Sequence, residues 1–429
     1  MKKFIVACTI LMSLQAISYA DIFEYCKIDD GVFKWEKVSQ KNLYKGTVAF
    51  ELKLTSQKWQ DIIWEHRLII IKPKELTNPS LALLLITGSG GGKEELLYGV
   101  EYANEIGGLF AILHDVPNQP LFGGLREDGI ISYTFVKYLE THDENWPLLF
   151  PMTKSAMRAM DAIQEFAKKE LDINVSGFLT TGGSKRGWTT WFSAVVDARV
   201  KAIAPIVYDN LDLPRQMQHQ IDAWGTYSEQ ISDYTEKNLP QLLETEEGAK
   251  LSNLVDPFVY REVITVPKLI IIGTNDRYWP LDALDIYYDK LVGEKYIFYG
   301  PNSGHGMEGN IVKGLNTISA FYLKTAGKIE FPKVSWKCEK KDKFVEFSIS
   351  TDPKIKPKKI VLWKAESPTR DFRDAKWQEF DVTSKGSGYP HKIEKPKSGF
   401  SAFLGETVYD LSEKKEFSLS TNVYIISQR

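Results

Sequence analysis

The sequence predicts a two-part α/β molecule, a mostly parallel sheet with helices on both faces followed by a β-sandwich. Three observations carry this. Continuous apolar runs alternate with segments of helical period from Leu81 to Leu323, the pattern of strands buried on both faces by crossover helices. Past Pro332 the texture changes to short strands separated by turn residues, as in immunoglobulin- or fibronectin-like sandwiches. At 429 residues the chain is also too long for one small domain. The expected boundaries are a leader over 1–20, an α/β domain over 21–330 with an insertion at about 209–262, and the sandwich over 331–429.

The chain opens with Met1-Lys2-Lys3, an apolar stretch from Phe4 to Leu14, and Ser18-Tyr19-Ala20 before Asp21. These are the three regions of a secretory signal peptide, with cleavage expected after Ala20 and a secreted or periplasmic destination. The apolar run is shorter than the ~20 residues that span a bilayer, and no later run is long enough, so no stable membrane span is expected. Cys26 and Cys338 then remain, in a compartment that permits a bridge; a disulfide between them and two separate buried thiols are both open. The net charge of −2 argues against a polyanion-binding surface, so nucleic acid is not an expected partner. Nothing in the sequence indicates an oligomeric state.

Gly46 to Thr55 alternates apolar and polar residues, and Trp64 to Ile71 follows, an opening antiparallel pair. Leu81-Ala82-Leu83-Leu84-Leu85-Ile86 is a doubly buried strand running into Thr87-Gly88-Ser89-Gly90-Gly91-Gly92 and a helix start. Leu109 to Leu113 is the next strand, closed by the turn-rich loop His114 to Pro120. Helices follow over Asp128 to Leu139 and Ser155 to Leu171, the second with apolar residues at spacings of three and four. Strand Val175 to Leu179 leads into Thr180-Thr181-Gly182-Gly183-Ser184-Lys185-Arg186-Gly187-Trp188. Strands Val200 to Val207 and Val266 to Ile272 are separated by a gap far too long for a crossover, read as a mostly helical cap. Lys295 to Tyr299 and a helix over Asn310 to Leu323 close the domain.

A serine between small residues at a strand-to-helix turn is where α/β-hydrolases hold their nucleophile, because the tight turn pushes the hydroxyl clear of the sheet. A serine needs an imidazole to take its proton, and the imidazole needs a carboxylate to fix its tautomer. In this fold the chain order is serine, acid, histidine. Asp276 follows the strand ending Ile271-Ile272-Gly273, and His305 lies in Asn302-Ser303-Gly304-His305-Gly306 after the next. Of six histidines only His305 and His391 follow Asp276, and His391 falls in the sandwich. The expected triad is therefore Ser184, Asp276 and His305 on an α/β-hydrolase-like sheet. Acyl transfer also needs oxyanion donors, assigned to the Lys185 N–H and to the loop of Gly88, Ser89 and Gly90. That loop lacks the Gly-Lys-Ser/Thr ending of a phosphate loop and the downstream acid of a dinucleotide site, so no cofactor is expected. No metal-ligand cluster is evident either.

Arg186 stands at the second position after the serine, where the hydrolase pattern has glycine, and Gly187 comes one later. It either pairs away from the site or lines the pocket. His219, Trp224 and Tyr227 in the insertion are the other pocket candidates, shaping a site for a small-molecule ester or peptide.

Several longer motifs carry a resemblance: Leu121 with Arg126-Glu127-Asp128-Gly129, Trp146-Pro147-Leu148-Leu149, Met152 to Asp161, Gly182 to Trp188, Tyr299 to Asn302 and Phe417 to Tyr424. With Ile130 to Phe135 they resemble the PhoPQ-activated pathogenicity-related proteins over nearly all of the chain beyond the leader. The resemblance implies an exported α/β-hydrolase-like protein with a β-rich C-terminal domain. It supplies no substrate, and it leaves a peptidase and a non-enzymatic signalling protein as expectations beside an esterase.

Overall fold

A computed structural model describes residues 21–382 and 389–428; the expected leader lies outside the described residues. A short helix α1 (Ile22–Lys27) precedes an antiparallel meander, β1 (Lys34–Asn42), β2 (Val48–Trp59) and β3 (Ile62–Lys72). The α/β part then runs β4 (Leu81–Ile86), α2 (Lys93–Ile106), β5 (Leu109–Leu113), α3 (Asp128–Thr141), α4 (Leu149–Leu171), β6 (Gly177–Gly183), α5 (Lys185–Val196) and β7 (Val200–Ile206). The insertion holds α6 (Leu213–Trp224), α7 (Ser232–Thr235), α8 (Leu239–Leu242) and α9 (Glu246–Val255). β8 (Lys268–Gly273), β9 (Lys295–Gly300) and α10 (Ile311–Thr325) complete this part. None of the helices among the described residues is long and apolar enough to cross a membrane.

In space β5, β4, β6, β7, β8 and β9 form consecutive parallel pairs, and β3 joins β5 antiparallel. β4 shows why its run is apolar throughout. Ala82, Leu84 and Ile86 enter the core beneath α4 and α5, whereas Leu81 and Leu83 enter the core beneath α2 and α10. A strand covered on both faces cannot place a polar side chain toward water on either. β6 extends four residues beyond the expected Leu179, because Thr180 and Thr181 are stiff β-branched residues and Thr181 Oγ1 donates to the Ala204 carbonyl at 2.6 Å.

The C-terminal part comprises β10 (Val334–Lys340), β11 (Phe344–Thr351), β12 (Lys359–Ser367), β13 (Gln378–Asp381), β14 (Tyr389–Glu394), β15 (Phe400–Ser412), β16 (Lys415–Ser420) and β17 (Tyr424–Ser427). β10, β11 and β14 form one sheet, packed through Val345, Phe347 and Ile349 against Ile360, Leu362 and Phe403 of the other. That second sheet continues the central one: β16 pairs antiparallel with β9 at Ser420 and Ile297, and Ser420 Oγ accepts the Tyr299 N–H at 2.9 Å. The sandwich is thus fused edge to edge with the α/β sheet.

The segment between β12 and β13, residues 368–377, reaches back over the carboxyl ends of β8 and β9. Asn275 Nδ2 donates to the carbonyls of Phe372, Arg373 and Ala375 at 3.2, 3.2 and 2.7 Å. Asn302 and Trp377 exchange two hydrogen bonds, at 3.0 and 2.8 Å.

Candidate active site

Ser184 ends β6 and begins α5 with φ 57° and ψ −126°, a left-handed conformation costly for any residue with a Cβ. The turn is closed by its N–H donating to the Ile206 carbonyl at 2.9 Å and its own carbonyl accepting from Trp188 at 3.1 Å. A Cβ on Gly182 would lie 2.8 Å from the Arg186 carbonyl oxygen, and one on Gly187 would lie 2.9 Å from Tyr208 Cβ and 3.0 Å from the Ile206 carbonyl oxygen. Gly183 has open space around it. The steric demand therefore falls two residues before the serine and three after it, where α5 crosses the end of β7. This accounts for the displaced glycine.

With that demand met by Gly187, position 186 is open to a large side chain. Arg186 turns inward: its Nε donates to the Val116 carbonyl at 2.5 Å, and Nη1 and Nη2 grip the Glu127 carboxylate at 2.6 and 2.8 Å. It therefore neither lies at the surface nor presents a free guanidinium to the cleft. Lys185 Nζ pairs with Glu127 at 2.9 Å and Asp128 at 3.1 Å. Burial works to raise the Glu127 carboxyl, but hydrogen bonds and charge from Arg186 and Lys185 outweigh it and hold the group well below the usual carboxylate range. Glu127 is itself left-handed, with φ 52°, at the start of α3.

The Gly88 to Gly92 loop leans on this brace. A Cβ on Gly88 would come 2.9 Å from Arg186 Cζ, so only glycine lets the loop sit flush against the guanidinium. The loop is held from the other side by Asp115 N–H on the Gly88 carbonyl at 3.0 Å and Val116 N–H on the Thr87 carbonyl at 3.1 Å. Gln119 Nε2 links Ser89 Oγ at 3.2 Å to Glu127 at 2.6 Å. Among the described residues the Lys185 N–H makes no hydrogen bond, as befits the first donor of a helix.

Asp276 and His305 meet across the loops after β8 and β9. Asp276 Oδ2 lies 2.8 Å from His305 Nδ1, and Oδ1 accepts the Tyr278 N–H at 2.9 Å. The Asp276 side chain is 3% exposed and His305 25%. His305 Nε2 is buried with no hydrogen-bond partner among the described residues, and the ring lies on Tyr278 with centroids 4.1 Å apart. A Cβ on Gly273 would strike the carbonyl oxygens of Ser303 and Gly304, so glycine there lets the two loops touch.

Ser184 and Lys185 open onto a mostly apolar cleft. Its sheet side is Trp188, Tyr208, Asn210, Tyr278 and Trp279, and its cap side includes Leu213, Met217, Leu242, Leu243 and Leu251. Asp128 reaches it too, accepting from Tyr234 Oη at 2.9 Å.

One expectation needs correction, and one open alternative is decided. His219, Trp224 and Tyr227 do not line this cleft. His219 Nε2 pairs with Asp282 at 2.8 Å, and Arg373 lies over the Trp224 ring at 4.2 Å, so α6 turns these two side chains away from the cleft and its Leu213 and Met217 toward it. Cys26 and Cys338 are free thiols, not a bridge: one is packed in α1 against α4, the other lies in β10 of the sandwich. Burial pushes the Cys26 thiol up to about 12. Sequence reasoning did not single out Tyr208, Asn210, Tyr278 and Trp279 for the cleft. Their signal was position, since each follows directly on the carboxyl end of β7 or β8, where open α/β sheets carry their sites. No group of three His, Cys, Asp or Glu able to hold a metal occurs among the described residues.

The family model of the PhoPQ-activated pathogenicity-related proteins matches residues 22–373. The chain is 30% identical over 438 aligned positions to autocrine proliferation repressor protein A of Dictyostelium discoideum, covering 93% of this chain and 88% of that protein. Among solved structures it is similar to acetyl xylan esterase 1 from Thermoanaerobacterium sp. JW/SL YS485, with a TM-score of 0.50 and 15% identity, covering 72% of this chain and 94% of the other. The acetyl xylan esterase from Paenibacillus sp. R4 gives a TM-score of 0.50 and 18% identity, covering 66% and 86%. At these identities the two esterases speak for the fold.

Proposed function

The chain belongs to the PhoPQ-activated pathogenicity-related protein family, and from its site we propose that it is an exported serine hydrolase, secreted or periplasmic, that cleaves an ester or peptide bond in a small-molecule substrate. One observation carries the reading. Beyond a strained serine at the turn from β6 into α5, the loops after β8 and β9 supply a buried carboxylate and an imidazole hydrogen-bonded at 2.8 Å, and the far nitrogen of that imidazole has no hydrogen-bond partner among the described residues.

In this mechanism Ser184 Oγ attacks the carbonyl carbon while His305 Nε2 takes its proton. Asp276 holds the Nδ1–H and stabilises the imidazolium. The oxyanion is met by the Lys185 N–H and by N–H groups of the Gly88, Ser89 and Gly90 loop, donors fixed in advance by the Arg186–Glu127 brace. His305 returns the proton to the leaving group, and water then cleaves the acyl-serine by the same steps reversed. No cofactor enters.

A fluorophosphonate probe tests this. The full chain beyond residue 20 is expected to be labelled, with labelling abolished in Ser184→Ala and reduced at least ~100-fold in His305→Ala. A folded wild-type protein that resists the probe would refute the proposal. It would favour a second reading, a secreted binding or signalling protein on a retired hydrolase scaffold, which the 30% identity to a protein named for repressing proliferation keeps in view.

A further inference from the structure

The cleft beside Ser184 has a composition that specifies more than a reaction type. Its cap side is almost wholly aliphatic, with Leu213 and Met217 from α6, Leu239 and Leu242 from α8, and Leu251 and Val255 from α9. Its sheet side is a chain of rings. Trp188 stacks on Tyr208 at 5.0 Å, Tyr208 meets Trp279 at 5.9 Å, and Tyr278 carries the wall on to His305 at 4.1 Å. Such walls gain free energy by removing apolar surface from water, and an acetyl group would leave most of them uncovered.

Three residues of this lining carry unpaired polar atoms. Tyr208 Oη, Asn210 Oδ1 and Trp279 Nε1 are buried and have no hydrogen-bond partner among the described residues. Their residues are 3%, 8% and 7% exposed. Buried polar atoms normally find partners, and an unpaired one costs free energy. Three on residues of one cleft wall, with Trp279 able only to donate and Asn210 Oδ1 only to accept, suit a ligand group that does both. A hydroxyl has that character.

We propose that this cleft takes a bulky, mainly apolar acyl group carrying a hydroxyl, seated between the aliphatic cap and the aromatic wall with the hydroxyl at Tyr208, Asn210 and Trp279. The proposal rests on the serine-hydrolase reading for the assignment of that group to the acyl side of the bond. The seat itself rests on the cleft alone.

The test uses the full chain beyond residue 20 and two independent readouts. With p-nitrophenyl acetate, butyrate and hexanoate, kcat/KM is expected to rise along the series, since each buried methylene is worth a factor of roughly four. Met217→Trp, which fills the cleft from α6, is expected to collapse the hexanoate-to-acetate ratio by about tenfold or more. Leu243→Trp, at a half-buried cap position, gives the same reading should the first variant fold poorly. The second readout needs no turnover: calorimetry with hexanol, an apolar chain with one hydroxyl, is expected to show saturable binding, abolished by Met217→Trp or Leu243→Trp and weakened by Tyr208→Phe. Hexanol binding without turnover or labelling would sink the hydrolase reading and leave the seat standing. Acetate hydrolysed as well as hexanoate, or no saturable hexanol binding, would overturn the seat while labelling of Ser184 upheld the hydrolase.

Discussion

At the scale of single residues, Arg186 does work that glycine at its position could not. Its guanidinium closes a buried junction of three segments, the Val116 loop, the start of α3 at Glu127 and the glycine loop at Gly88. Two parallel bonds to a carboxylate and a third to a carbonyl demand the planar fork of arginine, which a lysine ammonium cannot reproduce. Arg186→Lys is therefore expected to lower the unfolding free energy by about 2 kcal/mol, read by urea denaturation. Fluorophosphonate labelling should slow in step, because the glycine loop loses its backing; unchanged stability and labelling would show the brace to be idle. This junction also marks a limit of legibility. The proposed triad of Ser184, Asp276 and His305 could be drawn from sequence because glycine turns and apolar runs mark their strand ends locally. The partner of Arg186 lies 59 residues away, and no local pattern announces it.

At the scale of elements, the segment 368–377 acts as a strap. It binds the two loops that carry Asp276 and His305 through their neighbours, Asn275 and Asn302, and it reaches the cap through Arg373, paired with Glu229 at 2.8 Å. The sandwich thereby positions loops of the other half. Asn275→Ala leaves the carbonyls of Phe372, Arg373 and Ala375 without their shared donor and frees the Asp276 turn. A small displacement of a reacting group is costly, so kcat of the proposed hydrolase should fall roughly ten- to a hundredfold. KM should change little, since Asn275 does not line the cleft. A steady-state series on one ester checks this, and a change confined to KM would contradict the positioning role. The cap shows why such relations escape a sequence reader. His219, Trp224 and Tyr227 stood out as chemistry-bearing types, yet which face of a helical insertion looks down on the site depends on how α6 docks. The amphipathic pattern of α6 does not distinguish its two buried contacts.

At the scale of the molecule, the alternation of apolar runs and helices was enough to anticipate the α/β sheet, and the short C-terminal strands were enough to anticipate a sandwich. Their fusion was not legible, because β16 reads as any half-buried strand and pairs with β9 across more than a hundred intervening residues. The fusion has a consequence for stability. β16 covers the edge of β9, its Phe417 and Leu419 enter the core shared with α10, and Ser418 accepts from Thr317 while Asn316 reaches the Glu416 carbonyl. A chain ending at residue 330 would expose the β9 edge and the flank of α10 together. An uncovered edge strand beside bare apolar surface invites pairing with other chains. The full chain is accordingly expected to unfold in one cooperative transition, followed by tryptophan fluorescence and circular dichroism in parallel, and the shortened chain to be aggregated in sedimentation velocity. A monomeric, folded fragment that still reacts with the fluorophosphonate would contradict both the fusion and the strap, since each assigns the sandwich a part in holding the α/β half in its working shape.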